Sequence, residues 1–188
     1  MRYCILFLAA CALIVSCGNP SGLQPAFYTN IEYTVSLYAL TRTPVSLPSG
    51  YSITLRQQVR TEQGSPFDFA FDIDSTGEPV LLPTAPLKLG QQSGIQISAQ
   101  DYDSIKFAPT TGYNVDSAQV VHENSVVLAM TRATPCQSSI GFVAPFYAKL
   151  HVLAIDTTST PNGRRIDFVI IPDVNCGYRG LEPGLPKQ

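Results

Sequence analysis

Phe67-Asp68-Phe69-Ala70-Phe71-Asp72-Ile73-Asp74 alternates strictly: Phe67, Phe69, Phe71 and Ile73 fall on one side, and Asp68, Ala70, Asp72 and Asp74 on the other. Successive side chains of a strand point to opposite faces, so a period of two predicts a half-buried strand. One face is aromatic and core-seeking; the other is acidic and seeks water.

The same period recurs on either side. Upstream, Ile31, Tyr33, Val35, Leu37 and Ala39 alternate with Glu32, Thr34, Ser36 and Tyr38, and Tyr51 to Val59 reads as a further strand. Downstream, weaker strands are predicted at 80–82, 95–99, 104–107, 118–122 and 125–131. The segments 146–156 and 165–171 flank Thr157-Thr158-Ser159-Thr160-Pro161-Asn162-Gly163, where Asn-Gly supplies positive φ for a hairpin reversal. Prolines at 44, 48, 66, 79, 83, 86, 109, 135, 145 and 161 leave little room for a long helix. Many short strands with regular turn signals predict an all-β fold, an antiparallel β-sandwich of immunoglobulin-like type, with a β-barrel as the alternative. A chain of 188 residues, 45% hydrophobic and 14% charged, fits one globular domain.

The first residues are of another kind. Met1-Arg2 leads into an apolar run from Tyr3 to Val15 with no charge, followed by Ser16-Cys17-Gly18-Asn19-Pro20-Ser21-Gly22. The run is shorter than the roughly 20 residues a membrane-spanning helix needs, and it has the layout of a secretory signal. At its end Ile14-Val15-Ser16-Cys17 resembles the lipobox of bacterial lipoprotein precursors. The resemblance covers about twenty residues and implies cleavage before Cys17, a diacylglycerol on its thiol and acylation of the new amine. Several acyl chains together give stable anchoring. Gly18, in place of the aspartate that retains family members in the inner membrane, implies the outer membrane. The expected organisation is then a signal peptide at 1–16, a lipidated tether at 17–26 and one sandwich domain at 27–188 with a Gly/Pro-rich tail. Without Arg2 the chain keeps 11 basic against 14 acidic residues, which argues against nucleic acid as a partner.

Of five cysteines, Cys4 and Cys11 leave with the signal and Cys17 takes lipid, so Cys136 and Cys176 remain as a pair. Outside the cytoplasm such a pair is expected to form a disulfide. Two separated histidines, His122 and His151, have no zinc-ligand spacing, and neither a metal nor a cofactor is expected. Asp72-Ile73-Asp74-Ser75-Thr76-Gly77-Glu78 resembles the opening of an EF-hand loop, but Pro83 stands where its closing glutamate belongs. A hairpin turn accounts for the same residues. Asp101 and Asp103 would share one face of an extended segment, as paired carboxylates of a glycosidase do, and are read as a solvated face. Ser138-Ser139-Ile140-Gly141 lacks the first glycine of a nucleophile elbow.

No catalytic residues are assigned, and the chain is expected not to be an enzyme. The leading expectation is an envelope binding or structural module with a protein partner. Nine Tyr and nine Phe are enough to line a cavity, which makes a lipocalin-like carrier of a small apolar ligand the alternative. That family's early Gly-x-Trp is missing, and the chain has no tryptophan. An envelope hydrolase comes third. Tyr28, Tyr33, Tyr38 and Tyr51 are candidates for an aromatic binding face, with core packing as the competing use.

Overall fold

The structure, a computed structural model, describes residues 23–90, 92–136, 142–160 and 163–187. Cys17 and the lipobox, Ser138 to Gly141, and Asn162 lie outside the described residues. The strands described are β1 (Tyr33–Tyr38), β2 (Gly50–Ser52), β3 (Gln57–Val59), β4 (Phe69–Ile73), β5 (Pro79–Leu82), β6 (Gly94–Ser98), β7 (Gln119–Val120), β8 (Val126–Met130), β9 (Thr134–Pro135), β10 (Val143–Ala144), β11 (Tyr147–Asp156) and β12 (Arg165–Asp173). One sheet runs β1-β12-β11-β8-β6 and the other β3-β2-β4-β5-β7, with β9 and β10 as a separate ribbon. Every pairing is antiparallel, and neither sheet closes into a barrel. The fold is an antiparallel β-sandwich.

The alternation holds on the aromatic side from Phe69 to Ile73, whereas on the other side Ala70 is buried and Asp68 half-buried. Phe69, Phe71 and Ile73 point between the sheets, where they meet Leu37, Leu150, Val152, Ile166, Phe168 and Ile170. Phe168 of β12 is the bridge between layers: its ring lies 6.1 Å from Phe69 and 6.3 Å from Tyr51, and Tyr51 stacks on Phe69 at 5.5 Å. Each such ring contributes about 2–3 kcal/mol by leaving water. Tyr51 is fully buried, yet its hydroxyl has no hydrogen-bond partner among the described residues. Tyr51→Phe removes that unpaired group and keeps the ring, so it is expected to raise unfolding free energy by about 1 kcal/mol in urea titrations.

Two turns differ from expectation. Tyr51 to Val59 is not one strand: β2 stops at Ser52, the chain reverses through 53–56, and β3 returns. The reversal uses Arg56 at φ 54°, a conformation usually left to Gly or Asn, so no turn residue announced it. At the β11–β12 hairpin, among the described residues, positive φ falls on Arg164 (φ 53°) and not on Gly163, while Asn162 lies outside them. Buried Arg164 is held there by its guanidinium, which donates to the Thr41 carbonyl at 3.0 Å and the Ile73 carbonyl at 3.3 Å.

The outer face of the β6-β8-β11 region carries a second, smaller core of Ile105, Ala108, Val126, Leu128, Tyr147 and Leu181. Residues 99–118 cross it as a strap. Within the strap, 104–107 is not a strand: Tyr102–Ser104 is a 3-10 turn followed by a lone bridge from Phe107 to Gly180. Buried Lys149 of β11 ends that turn, donating to the carbonyls of Tyr102 (2.9 Å) and Ile105 (3.0 Å) with its ammonium 4.4 Å from the Tyr102 ring centre. Desolvation lowers its pKa from the ordinary lysine value. The Gly/Pro-rich tail lies across the same face and is built into it, with Leu181 fully buried and Gly184 bridged to Asn30.

The long axis has two distinct ends. At one lie the N-terminal segment 23–30, the 53–56 turn and the loops 64–68, 83–93, 131–136 and 174–178. At the other lie the 40–48 loop and the β4–β5 and β11–β12 turns.

Candidate functional site

An open cleft of about 1120 Å³ occupies the end of the sandwich where the N-terminal segment joins. Seven separated stretches of chain line it, and their loops are braced locally. In the 83–93 loop, Thr84 and Ser93 exchange backbone-to-hydroxyl bonds at 3.0 and 3.3 Å, while the Thr84 hydroxyl donates to Gly90 O at 2.8 Å. Thr131 accepts the Phe146 amide at 3.0 Å and donates to Arg132 O at 2.7 Å. These hydroxyls line the cleft but are engaged in holding its walls. The side chains left to meet a ligand are mainly apolar, among them Phe27, Tyr28, Leu55, Phe67, Leu89 and Phe146, with Arg56, Arg132 and Asp68 as the charged members.

The alternation places Asp68 on the acidic, water-seeking face. In the structure it is half-buried against the β2–β3 turn, accepting the Ile53 amide at 2.7 Å. Desolvation raises its pKa to about 6, partly offset by that bond and by Arg132. Arg132 donates to Gln92 at 2.9 Å across the rim. Behind the cleft, fully buried Asp173 is also raised to about 6 by desolvation, against the pull of two 2.9 Å bonds from Asn175.

Asn175 ties the N-terminal segment to this wall. Its Oδ1 accepts the amides of Phe27 and Tyr28, both at 2.8 Å, and its Nδ2 donates to Tyr28 O at 2.7 Å. Tyr178 donates to Gln24 O at 2.9 Å, and Arg56 lies 5.1 Å from the Tyr28 ring centre. Gly177, at φ 82°, leaves room for Leu23, whose side chain would stand 2.5 Å from any Cβ placed there. The chain is therefore fastened from Leu23 onward, three residues before the end of the expected tether. Asn175→Ala strands two partly buried donors, the Phe27 and Tyr28 amides, and removes the bonds donated to Tyr28 O and Asp173, and is expected to cost about 2–3 kcal/mol. Urea denaturation measures the loss, and faster proteolysis near residues 23–30 locates it.

The other sequence candidates fall in different places. Cys136 and Cys176 form a disulfide, Cα–Cα 5.8 Å, and both line the cleft. Asp74 closes the β4–β5 hairpin, accepting from the Thr76 amide (2.8 Å), the Thr76 hydroxyl (2.7 Å) and the Glu78 amide (2.9 Å), which holds its carboxyl below the usual range. Asp72 accepts from the Thr41 hydroxyl at 2.8 Å. Asp101 and Asp103 are exposed and sit around the 3-10 turn, so the shared face of an extended segment does not exist. His151 stacks on Tyr102 with ring centres 5.7 Å apart, and His122 is exposed. Tyr28, Tyr33, Tyr38 and Tyr51 form no common face: Tyr51 is core and Tyr28 belongs to the cleft rim. Among the described residues, no three His, Cys, Asp or Glu side chains gather as metal ligands do.

No protein-family model matches the chain, and no curated protein matches it significantly.

Proposed function

We propose that this protein is a lipid-anchored component of the cell envelope, held at the outer membrane through Cys17, and that it works as a binding module rather than an enzyme. The observation that carries the reading is the cleft. It has the dimensions of a ligand site, its loops are pre-braced, and it lies where the N-terminal segment meets the domain. An anchor on Cys17 turns this end towards the membrane and raises the effective concentration of the cleft for anything held there.

The apolar lining favours one second reading, a carrier of a small apolar ligand. The core between the sheets is packed, so the cleft and not the sandwich interior is where such a ligand sits.

Two measurements decide. Intact mass of membrane-extracted protein should show loss of residues 1–16 and gain of acyl chains, and Cys17→Ala should abolish both the acyl mass and membrane fractionation. Native mass spectrometry of gently extracted protein then separates the readings: a retained small molecule supports the carrier, and a clean mass supports the module. An unacylated wild type fractionating like Cys17→Ala would overturn the anchor.

A further inference from the structure

We infer that the cleft end of the sandwich is a docking surface for an anionic lipid bilayer, oriented by a charge asymmetry along the long axis. The inference rests on the proposed anchor at Cys17.

Four exposed apolar side chains surround the cleft mouth. Phe27 is 82% exposed, and Tyr28, Leu55 and Leu89 are each about half exposed on three separate segments around one opening. Aromatic and aliphatic groups presented together in this way suit the headgroup–acyl boundary of a membrane.

The charges divide along the same axis. Arg56 and Arg132 line the cleft and Lys88 stands exposed beside Leu89, against two acids, half-buried Asp68 and, behind the cleft, buried Asp173, which leaves this end net positive. Arg60 and Glu62 on the neighbouring turn neutralise each other at 2.7 Å. The opposite end gathers Asp72, Asp74, Glu78, Glu123 and Asp156 against Arg42, Arg164 and Arg165. The chain as a whole is acidic, so a cationic pole here is a departure from its average. An anionic surface attracts the cleft pole and repels the other.

The anchor's position agrees. Six peptide steps separate Cys17 from Leu23, a span of at most about 20 Å. The mouth therefore stays close to any bilayer that holds Cys17, and the orientation is set by which side chains favour contact.

The absence of tryptophan makes the test direct. Lipidated protein carrying Phe27→Trp, or Val45→Trp in the far loop as control, is reconstituted into vesicles of phosphatidylcholine with or without one-third phosphatidylglycerol. The acyl chains are brominated as quenchers. The expected result is a blue-shifted Phe27→Trp emission quenched roughly twofold or more on anionic vesicles, with Val45→Trp unchanged. High salt or paired Lys88→Glu and Arg132→Glu substitutions should weaken that quenching. Protein that floats with the vesicles while both tryptophans emit as in buffer, or are quenched equally, overturns the surface but not the anchor. Protein without acyl mass fails the anchor instead, and the same variants added directly to the vesicles still decide the surface.

Discussion

Replacing Cys136 and Cys176 together by serine is expected to lower the unfolding free energy by about 4 kcal/mol, the chain-entropy value for a loop closed across 40 residues. The effect should be this large because the bridge closes a long stretch, from the β9–β10 ribbon through the entire β11–β12 hairpin. It should not unravel the hairpin itself, whose register is set by pairing from Tyr147↔Asp173 to Asp156↔Arg165. The loss should concentrate at the cleft, where both cysteines form part of the lining. Equilibrium urea denaturation of wild type under oxidising and reducing conditions, beside the double serine variant, measures it. Agreement between reduced wild type and the variant assigns the loss to the bond rather than to serine packing; a loss below about 1 kcal/mol would contradict the entropic account.

Stability should rise, not fall, as the solution is acidified from pH 7 towards pH 4.5. Asp68 and Asp173 are both raised to about 6 by burial, about two units above an unfolded aspartate. At neutral pH both are ionised in either state, and the folded protein bears the full desolvation cost. Between pH 6 and pH 4 the folded state takes up protons that the unfolded state does not, so unfolding becomes harder as pH falls. The gain is on the order of 2 kcal/mol for fully buried Asp173 and smaller for Asp68, which water still reaches. Below about pH 4 the trend reverses, because Asp74 and Asp156 are held below the usual carboxylate range by Thr76 and Thr158 and lose those bonds on protonation. Thermal melts across this range should show a maximum near pH 4–4.5. Asp173→Asn should flatten the slope, and a flat wild-type profile would refute the assignment.

The sandwich was legible wherever one face meets a core and the other meets water. The core-facing side of Phe69–Ile73 and the first half of β12 meet that condition, whereas the outer face of β11 is covered by the second core, so its strand is legible as a strand but its burial is not. Legibility failed where side-chain contacts replaced turn chemistry. Arg56 reverses the chain without glycine or asparagine, and it packs there on the ring of Tyr28, which lies 28 residues earlier. It failed again at 104–107, where the local pattern suggests a strand but Lys149, on a different element, ends a helical turn. Of the cleft, the cysteine pair could be read from count and compartment. The rest could not, because Asp68, Arg132 and Asn175 come from separate loops and each looks ordinary among its neighbours. Asp68 in particular shares the pattern of Asp72 and Asp74, and only the 53–56 turn folded over it sets it apart.

The pairing of β1 with β12, together with the bridge from Asn30 to Gly184, has a consequence for biogenesis. Among the described residues the first strand has its sheet partner in the last, so no fragment that ends before β12 can complete the sandwich. A nascent chain must therefore leave β1 unpaired until β12 is available, and contacts of such long range form slowly. For a protein proposed to leave the cytoplasm as an extended chain, that delay is an advantage: the order of the strands keeps it threadable until the whole chain has crossed.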